Sequence, residues 1–277
     1  MVLALGLLGG FYTVIAVGVI AIFWWQPGWL AYGIVVCAIG VGAALAHYHG
    51  SDTLVLRSAR ARFVEPGSEP ELERPLERLA DLADVPVPRL AIVETETPNA
   101  FTVGISQDRA VVAVTSCLTR TLDQHEIDAV LAHELTHIVN HDSAVLTAVA
   151  FPRTLGLTLI MDESLAVIVL WLVWPLGLPL WALGSLLTLT VSRYREFAAD
   201  RGSALLTGAP EHLMSALQKL SERHIPSGDL RLQGAEAFCI VQTQSRRWEL
   251  FMDHPPLHKR LAALAQIARE MGKPVPS

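Results

Sequence analysis

The sequence predicts a mostly α-helical membrane protein with four transmembrane helices, a small antiparallel β-sheet and a polar cytoplasmic domain. Three observations predict this class. The 277-residue chain is 52% hydrophobic but only 17% charged, whereas soluble domains carry about 25% charged residues. Long uncharged runs occur in two separate parts of the chain. Between them lie short segments rich in Val and Ile, separated by turn residues, which is typical of strands.

Charge and cysteine content exclude two classes of function. The net charge of -6 argues against a nucleic-acid-binding protein, which would carry a basic face. Cys37, Cys117 and Cys239 are odd in number, far apart and outside any C-x-x-C motif. The sequence therefore predicts neither a disulfide framework nor a thiolate metal site.

Residues 1–50 are predicted to form a transmembrane hairpin. Residues 2–25 and 29–46 contain no charged side chain, and each run is long enough for a bilayer crossing, which requires roughly 20 apolar residues. Tryptophans crowd the junction of the two runs, where aromatic rings would meet the lipid headgroups. No basic residue precedes the first run, which argues against a cleaved signal peptide.

Basic residues predict the orientation of this hairpin. Arg57, Arg60 and Arg62 follow the second run, and no Lys or Arg lies between the two runs. Because cytoplasmic flanks carry an excess of Lys and Arg, we expect the N-terminus and residues 57 onward on the cytoplasmic side.

Residues 51–142 are predicted to form the first part of a polar domain. Residues 66–75 are rich in Pro and Glu and indicate a linker, and the spaced leucines after them indicate a short helix. Three predicted strands follow, at residues 89–95, 100–106 and 109–116, with Gln107 and Asp108 as the turn of a hairpin.

A helix beginning after Asp123 carries the motif H-E-x-x-H. Asp123 and Glu126 have the spacing of a capping box. His133 and His137 are four residues apart and share one helix face, so both imidazoles can bind one Zn²⁺. Glu134 stands beside the metal and can take a proton from its bound water, whose pKa zinc lowers to about 7.

Residues 143–192 are predicted to form a second transmembrane hairpin. They are almost continuously apolar, apart from Arg153 and the pair Asp162 and Glu163, which we place in the outer turn. The buried Arg and two prolines leave a re-entrant or kinked segment as the alternative. Residues 193–277 return to the cytoplasmic side and complete the polar domain.

A zinc site of this kind needs a third protein ligand. His141 is nearest, but on a straight helix its Cα lies about 12 Å from that of His133, too far for convergence with bonds of about 2 Å. We expect His141 to lie at the surface or to support a ligand. Glu196 is the better candidate, and Asp200, one turn later, can hydrogen-bond the far nitrogen of a ligand histidine.

The segments "AHELTHIVNHD" and "REFAADRGSA", separated by a membrane hairpin, and the later "HPP" resemble the M48 zinc metallopeptidases. The likeness is strongest to the HtpX-type membrane heat-shock proteases. It implies a zincin-type catalytic domain with one Zn²⁺ per chain. It also implies that His133, His137 and Glu196 bind the metal, that Glu134 is the catalytic base and that Asp200 supports a ligand.

Two further roles are implied by the resemblance. "TPNAFTVG" resembles the P-N-A-F element of the family and also the Asn-Ala-Phe stretch of thermolysin, where an edge strand pairs with the peptide substrate. The likeness implies that Asn99 and Ala100 bind the peptide backbone. His254 matches a late His-Pro and would stabilise the oxyanion, with His258 and Arg260 as alternatives. The simpler interpretations are a turn before a core strand and a histidine at the start of a helix.

We therefore expect a multi-pass membrane zinc endopeptidase that hydrolyses misfolded or membrane proteins at the cytoplasmic face, in protein quality control under stress. Its expected partners are polypeptides and the lipid bilayer, without nucleic acid, and a homo-oligomer stays open. The alternatives are a CAAX prenyl-type protease and a catalytically inactive membrane scaffold that binds metal. An intramembrane protease is disfavoured, because the H-E-x-x-H helix begins with charged residues.

Overall fold

The structure is a computed structural model that describes residues 53, 55–146, 148–150, 153, 174–222 and 255–273. The first predicted membrane hairpin and most of the second lie outside these residues. Among the helices that are described, none has the length and apolar character needed to cross a bilayer. The chain divides into two compact units, and the second, residues 51–146 with 192–277, contains the sheet and the H-E-x-x-H helix.

The described elements are mainly helical. The strands are β1 (Arg62–Phe63), β2 (Arg89–Val93), β3 (Ala100–Val103) and β4 (Val111–Thr115). The helices are α1 (Pro70–Ala83), α2 (Ser116–Thr121), α3 (Gln124–Val139), α4 (Trp174–Thr207), α5 (Pro210–Glu222) and α6 (Leu257–Glu270). The three predicted strands and the H-E-x-x-H helix are thus confirmed, and Asp123 and Glu126 form the predicted capping box.

The sheet is mixed, so the prediction of an antiparallel sheet was wrong for one strand pair. The strand order is β1-β2-β4-β3. β3 and β4 are antiparallel, as predicted, but β2 and β4 are parallel, with Leu90 opposite Val112. The reason is the chain path: β3 lies at the far edge, and β4 returns into the space between β3 and β2.

The predicted linker at residues 66–75 was also partly wrong, because α1 begins at Pro70 and includes Pro75. A proline in the first turn costs no helical hydrogen bond. Glu73 accepts hydrogen bonds of 2.7 Å from the backbone N–H groups of Gly67 and Glu69, which secures the start of the helix. Pro75 itself lies on the buried face of the helix, with Leu72 and Leu76.

The sheet separates two hydrophobic clusters. Alternate strand residues face opposite sides, as the period of a strand requires. Leu90 and Val112 join the larger cluster with residues from α1, α3, α5 and α6, whereas Phe101 and Val111 join the smaller one. Helix α3 is therefore anchored along its length against the rest of the domain.

Helix α4 lies unusually close to α3. A Cβ atom placed on Gly202 would stand 2.3 Å from Thr136 Cγ2, and the Ser203 hydroxyl donates a hydrogen bond of 2.7 Å to the Ala129 carbonyl. Only small side chains allow this approach. The residues of α4 one and two turns before Ser203, Asp200 and Glu196, are consequently held beside the H-E-x-x-H motif.

This contact predicts that Gly202→Ala destabilises the fold by about 1–3 kcal/mol, the usual cost of overpacking. Chemical denaturation of the full-length chain would measure the loss. The double variant Gly202→Ala/Thr136→Ala should recover part of it, because Thr136 Cγ2 and Oγ1 are the nearest colliding atoms. Equal stability of Gly202→Ala and wild type would contradict the close approach.

Candidate metal centre

Three side chains predicted as ligands converge in the structure. His133 Nε2 lies 3.6 Å from Glu196 Oε2, and His137 Nε2 lies 3.6 Å from Glu196 Oε1. One ligand atom from each residue lies within 4.8 Å of the others. The helix spacing of the two histidines and the packing of α4 against α3 together produce this arrangement.

The spacing fits a metal ion better than direct hydrogen bonds. A distance of 3.6 Å exceeds the usual hydrogen-bond range of about 2.7–3.2 Å. Two ligand atoms about 2.0–2.1 Å from a tetrahedral zinc ion would stand about 3.4 Å apart. Two imidazoles with one carboxylate also form a typical donor set for catalytic zinc, which keeps a fourth position open.

Asp200 lies beside His133. Its Oδ1 lies 3.1 Å from His133 Nδ1, the nitrogen that faces away from Glu196. Arg260 of α6 donates two hydrogen bonds to Asp200, at 2.8 Å and 2.5 Å. Its Nη1 also lies 3.6 Å from Glu196 Oε2. Arg260 thus ties the C-terminal helix to the metal centre.

Sequence reasoning named Arg260 only as an alternative oxyanion donor and missed this contact. A signal was present, since Arg260 and Leu264 are four residues apart and share a helix face. Both are buried, with exposed fractions of 1% and 0%. An arginine on a buried face requires a buried acid, which Asp200 provides.

Electrostatics at this cluster follow from burial and pairing. Burial alone lowers the pKa of His133, but Asp200 and Glu196 outweigh it and raise the pKa to about 9. Burial raises the pKa of Asp200, but the charge of Arg260 holds it below its usual value. Burial lowers the pKa of Arg260, but pairing with Asp200 outweighs burial and raises the pKa above its usual value.

Glu134 is buried and held by a residue that sequence reasoning did not select. The Thr102 hydroxyl of β3 lies 2.9 Å from Glu134 Oε2, to which it donates a hydrogen bond. The same hydroxyl lies 3.2 Å from the Glu134 carbonyl oxygen. The alternation of "AFTV" places Thr102 on the same face as Ala100, which could have indicated a polar contact with the helix.

The remaining predicted residues have different outcomes. Asn99 is buried, and its backbone N–H and C=O pair with Thr115, at 2.8 Å and 2.9 Å. Ala100 lies in β3 and is fully buried. His141 is exposed and lies outside the ligand group, as expected. His254 lies outside the described residues.

Comparisons with known proteins agree with this site. A protein-family model described as "Peptidase family M48" matches residues 66–268. A protein called "Protease HtpX homolog" from Moorella thermoacetica is 42% identical over 268 residues, covering 89% of this chain and 88% of its own. "Protease HtpX homolog 2" from Methanosarcina acetivorans is 41% identical over 247 residues, covering 83% of this chain and 84% of its own.

A solved structure supports the fold. "Crystal Structure of S. mikatae Ste24p" is 21% identical with a TM-score of 0.53. The alignment covers 92% of this chain but only 62% of that one, so the two share an architecture and differ in extent.

The pKa of His133 leads to a prediction about metal binding. A ligand imidazole must be neutral, and without metal His133 is protonated below about pH 9. Zinc binding at pH 7.5 should therefore release a proton from His133, and this group should weaken the apparent affinity about tenfold per pH unit as the pH falls. Calorimetry in buffers of different ionisation enthalpy would count the protons.

Two variants sharpen this measurement. Asp200→Asn removes an interaction that raises the pKa of His133, so it should release fewer protons on binding. Asp128 lies on the helix of His133 but pairs with Arg78 at the surface, so Asp128→Asn should release as many protons as wild type. Identical proton release in all three proteins would refute the assignment of His133.

Proposed function

This chain belongs to peptidase family M48 as an HtpX-type metallopeptidase, and on that premise we propose that it is a membrane-embedded, zinc-dependent endopeptidase. It would cleave misfolded or membrane proteins at the cytoplasmic face. The observation that carries the proposal is the convergence of His133, His137 and Glu196 within 4.8 Å. Glu134 lies on the same helix as the two histidines.

We assign the proton transfers to Glu134. Bound zinc would supply a Lewis acid that polarises the scissile carbonyl and acidifies water. Glu134 takes the proton of the attacking water and then passes it to the leaving amine. The hydrogen bond from Thr102 holds Oε2, which fixes the orientation of the carboxylate. No covalent intermediate is required.

Substrate binding is proposed at the β3 edge. Facing residues of antiparallel strands alternate between hydrogen-bonded and non-hydrogen-bonded pairs. The Thr115 N–H bonds the Asn99 carbonyl, so the backbone groups of Ala100 and Thr102 point away from β4. Among the described strands, β3 ends the sheet on that side. Because Ala100 is fully buried, this edge must open before a peptide pairs there.

The membrane part of the proposal is supported by the sequence. Residues 2–25 and 29–46 are uncharged and of spanning length, and Arg57, Arg60 and Arg62 follow the second run. The second apolar block ends at residue 192, four residues before Glu196. This proximity along the chain supports cleavage near the bilayer surface. His254 is proposed as the oxyanion donor.

We predict that Glu134→Gln lowers cleavage of an unfolded protein by about 10²–10⁴-fold, because the general base is lost. Zinc content should stay at that of wild type. Full-length protein in detergent, assayed with an unfolded polypeptide and by metal analysis, would test both.

Glu77→Gln, an exposed change on α1, serves as the control and should leave cleavage unchanged. The mechanism is wrong if Glu134→Gln cleaves like wild type. Cleavage confined to prenylated C-terminal peptides would instead indicate a CAAX prenyl-type protease. Zinc binding without any cleavage by wild type would indicate a scaffold.

Thr102→Val should reduce kcat about tenfold or more without loss of zinc. The change removes one hydrogen bond to a carboxylate, worth about 1.5–3 kcal/mol. Thr102→Ser keeps the hydroxyl and should retain most of the activity. If Val and Ser variants have the same kcat, Thr102 does not orient Glu134.

A further inference from the structure

His137 contacts a buried charged pair that is separate from Asp200 and Arg260. Its Nδ1 lies 2.6 Å from Asp142 Oδ2. Arg195 Nε lies 3.1 Å from the same oxygen, and Arg195 Nη2 lies 3.4 Å from His137 Nδ1. The exposed fractions of His137, Asp142 and Arg195 are 9%, 4% and 8%. The three groups therefore interact largely shielded from water.

We propose that Asp142 and Arg195 are a positioning pair that fixes the ring and the tautomer of His137 for metal binding. The inference rests on the proposed function, in which His137 is a zinc ligand. It adds two residues that neither the sequence motifs nor the comparisons assign.

The chemistry of the three groups gives each a role. His137 Nε2 faces Glu196 and must offer a lone pair to a metal, so the ring proton belongs on Nδ1. The Nδ1–H group then donates a hydrogen bond to Asp142. An imidazole held in this way binds metal in a fixed orientation. Arg195 has only donors, so it holds the carboxylate and compensates its buried charge.

The backbone turn after α3 makes the contact with Asp142 feasible. On a continuous helix, a residue five positions after His137 would point about 140° away from it. Instead α3 ends at Val139, and His141 adopts a left-handed conformation with φ of 53°. This turn brings Asp142 back to the imidazole. The role of His141 is thus to redirect the backbone.

The sequence positions of the pair add a second consequence. Asp142 comes directly before the apolar block of residues 143–192, and Arg195 comes three residues after its end. The ion pair therefore joins the two ends of the inserted segment at one ligand. Arg195 also immediately precedes Glu196, so one turn of α4 supplies both the third ligand and the group that holds Asp142.

The resulting centre has a repeated arrangement. His133 is backed by Asp200 and then Arg260, and His137 is backed by Asp142 and then Arg195. Each imidazole thus has a carboxylate oxygen within 3.1 Å of Nδ1 and a cation behind that carboxylate. The equivalence supports a positioning role for the second pair.

The test is zinc affinity of the full-length chain in detergent, measured by competition with a chelator. Asp142→Asn should weaken zinc binding about 10–100-fold, the usual effect of losing such a partner. The visible spectrum of the Co²⁺-substituted protein should change as well, because the His137 ligand is less well ordered. Arg195→Lys should show a smaller loss, because it keeps the charge but not the planar group.

Matched controls come from a surface ion pair between α1 and α3, the helix that bears His137. Arg78 and Asp128 form an ion pair of 2.8 Å in which Arg78 is mostly exposed, so Asp128→Asn and Arg78→Met should keep wild-type zinc affinity and spectrum. If Asp142→Asn fails to fold, Asp142→Leu/Arg195→Met removes both buried charges together. That double variant should fold and still bind zinc more weakly.

Wild-type zinc affinity and Co²⁺ spectrum in a folded Asp142 variant would overturn the proposal. A lower melting temperature with unchanged affinity would assign the pair a purely structural role and would overturn it too. His133→Ala separates the two levels of inference. If that variant keeps zinc, the proposed site itself fails, whereas if only the Asp142 variants keep it, the positioning pair fails alone.

Discussion

The close approach of α4 to α3 is the constraint on which the metal centre depends. Gly202 meets Thr136 where no larger side chain fits. Positions 196, 200 and 203 lie on one face of a helix, so the contact that seats Ser203 on the α3 backbone also places Asp200 and Glu196. The ligands come from parts of the chain more than fifty residues apart, and the packing of α4 against α3 brings them together.

Burial of charge then determines which other elements the centre needs. Two aspartates lie behind the histidines, each almost fully buried, and an unpaired buried carboxylate would cost several kcal/mol. Arg260 and Arg195 meet this requirement from α6 and α4. Helix α6 is therefore a component of the metal centre, although it supplies none of the three converging ligands.

Features that depend on local rules could be predicted from the sequence. The H-E-x-x-H face and the spacing of Glu196 and Asp200 follow from helical geometry, and the capping box at Asp123 follows from side-chain chemistry. The parallel pairing of β2 and β4 was missed because strand order depends on the whole chain path. The contact of Asp142 with His137 was missed because it needs a left-handed residue at His141, a conformation uncommon outside glycine.

The burial of the centre sets a condition on proteolysis. His133, Glu134 and Glu196 are exposed by 3% or less, and Ala100, at the proposed pairing edge, is fully buried. A peptide must displace neighbouring residues before its carbonyl can approach Glu134. The ligands themselves are poor candidates for that movement, because Gly202 packing and the two Arg–Asp pairs hold them. Access must therefore depend on movement of the residues that surround α3 and α4. The metal centre then stays assembled while the path for the substrate opens.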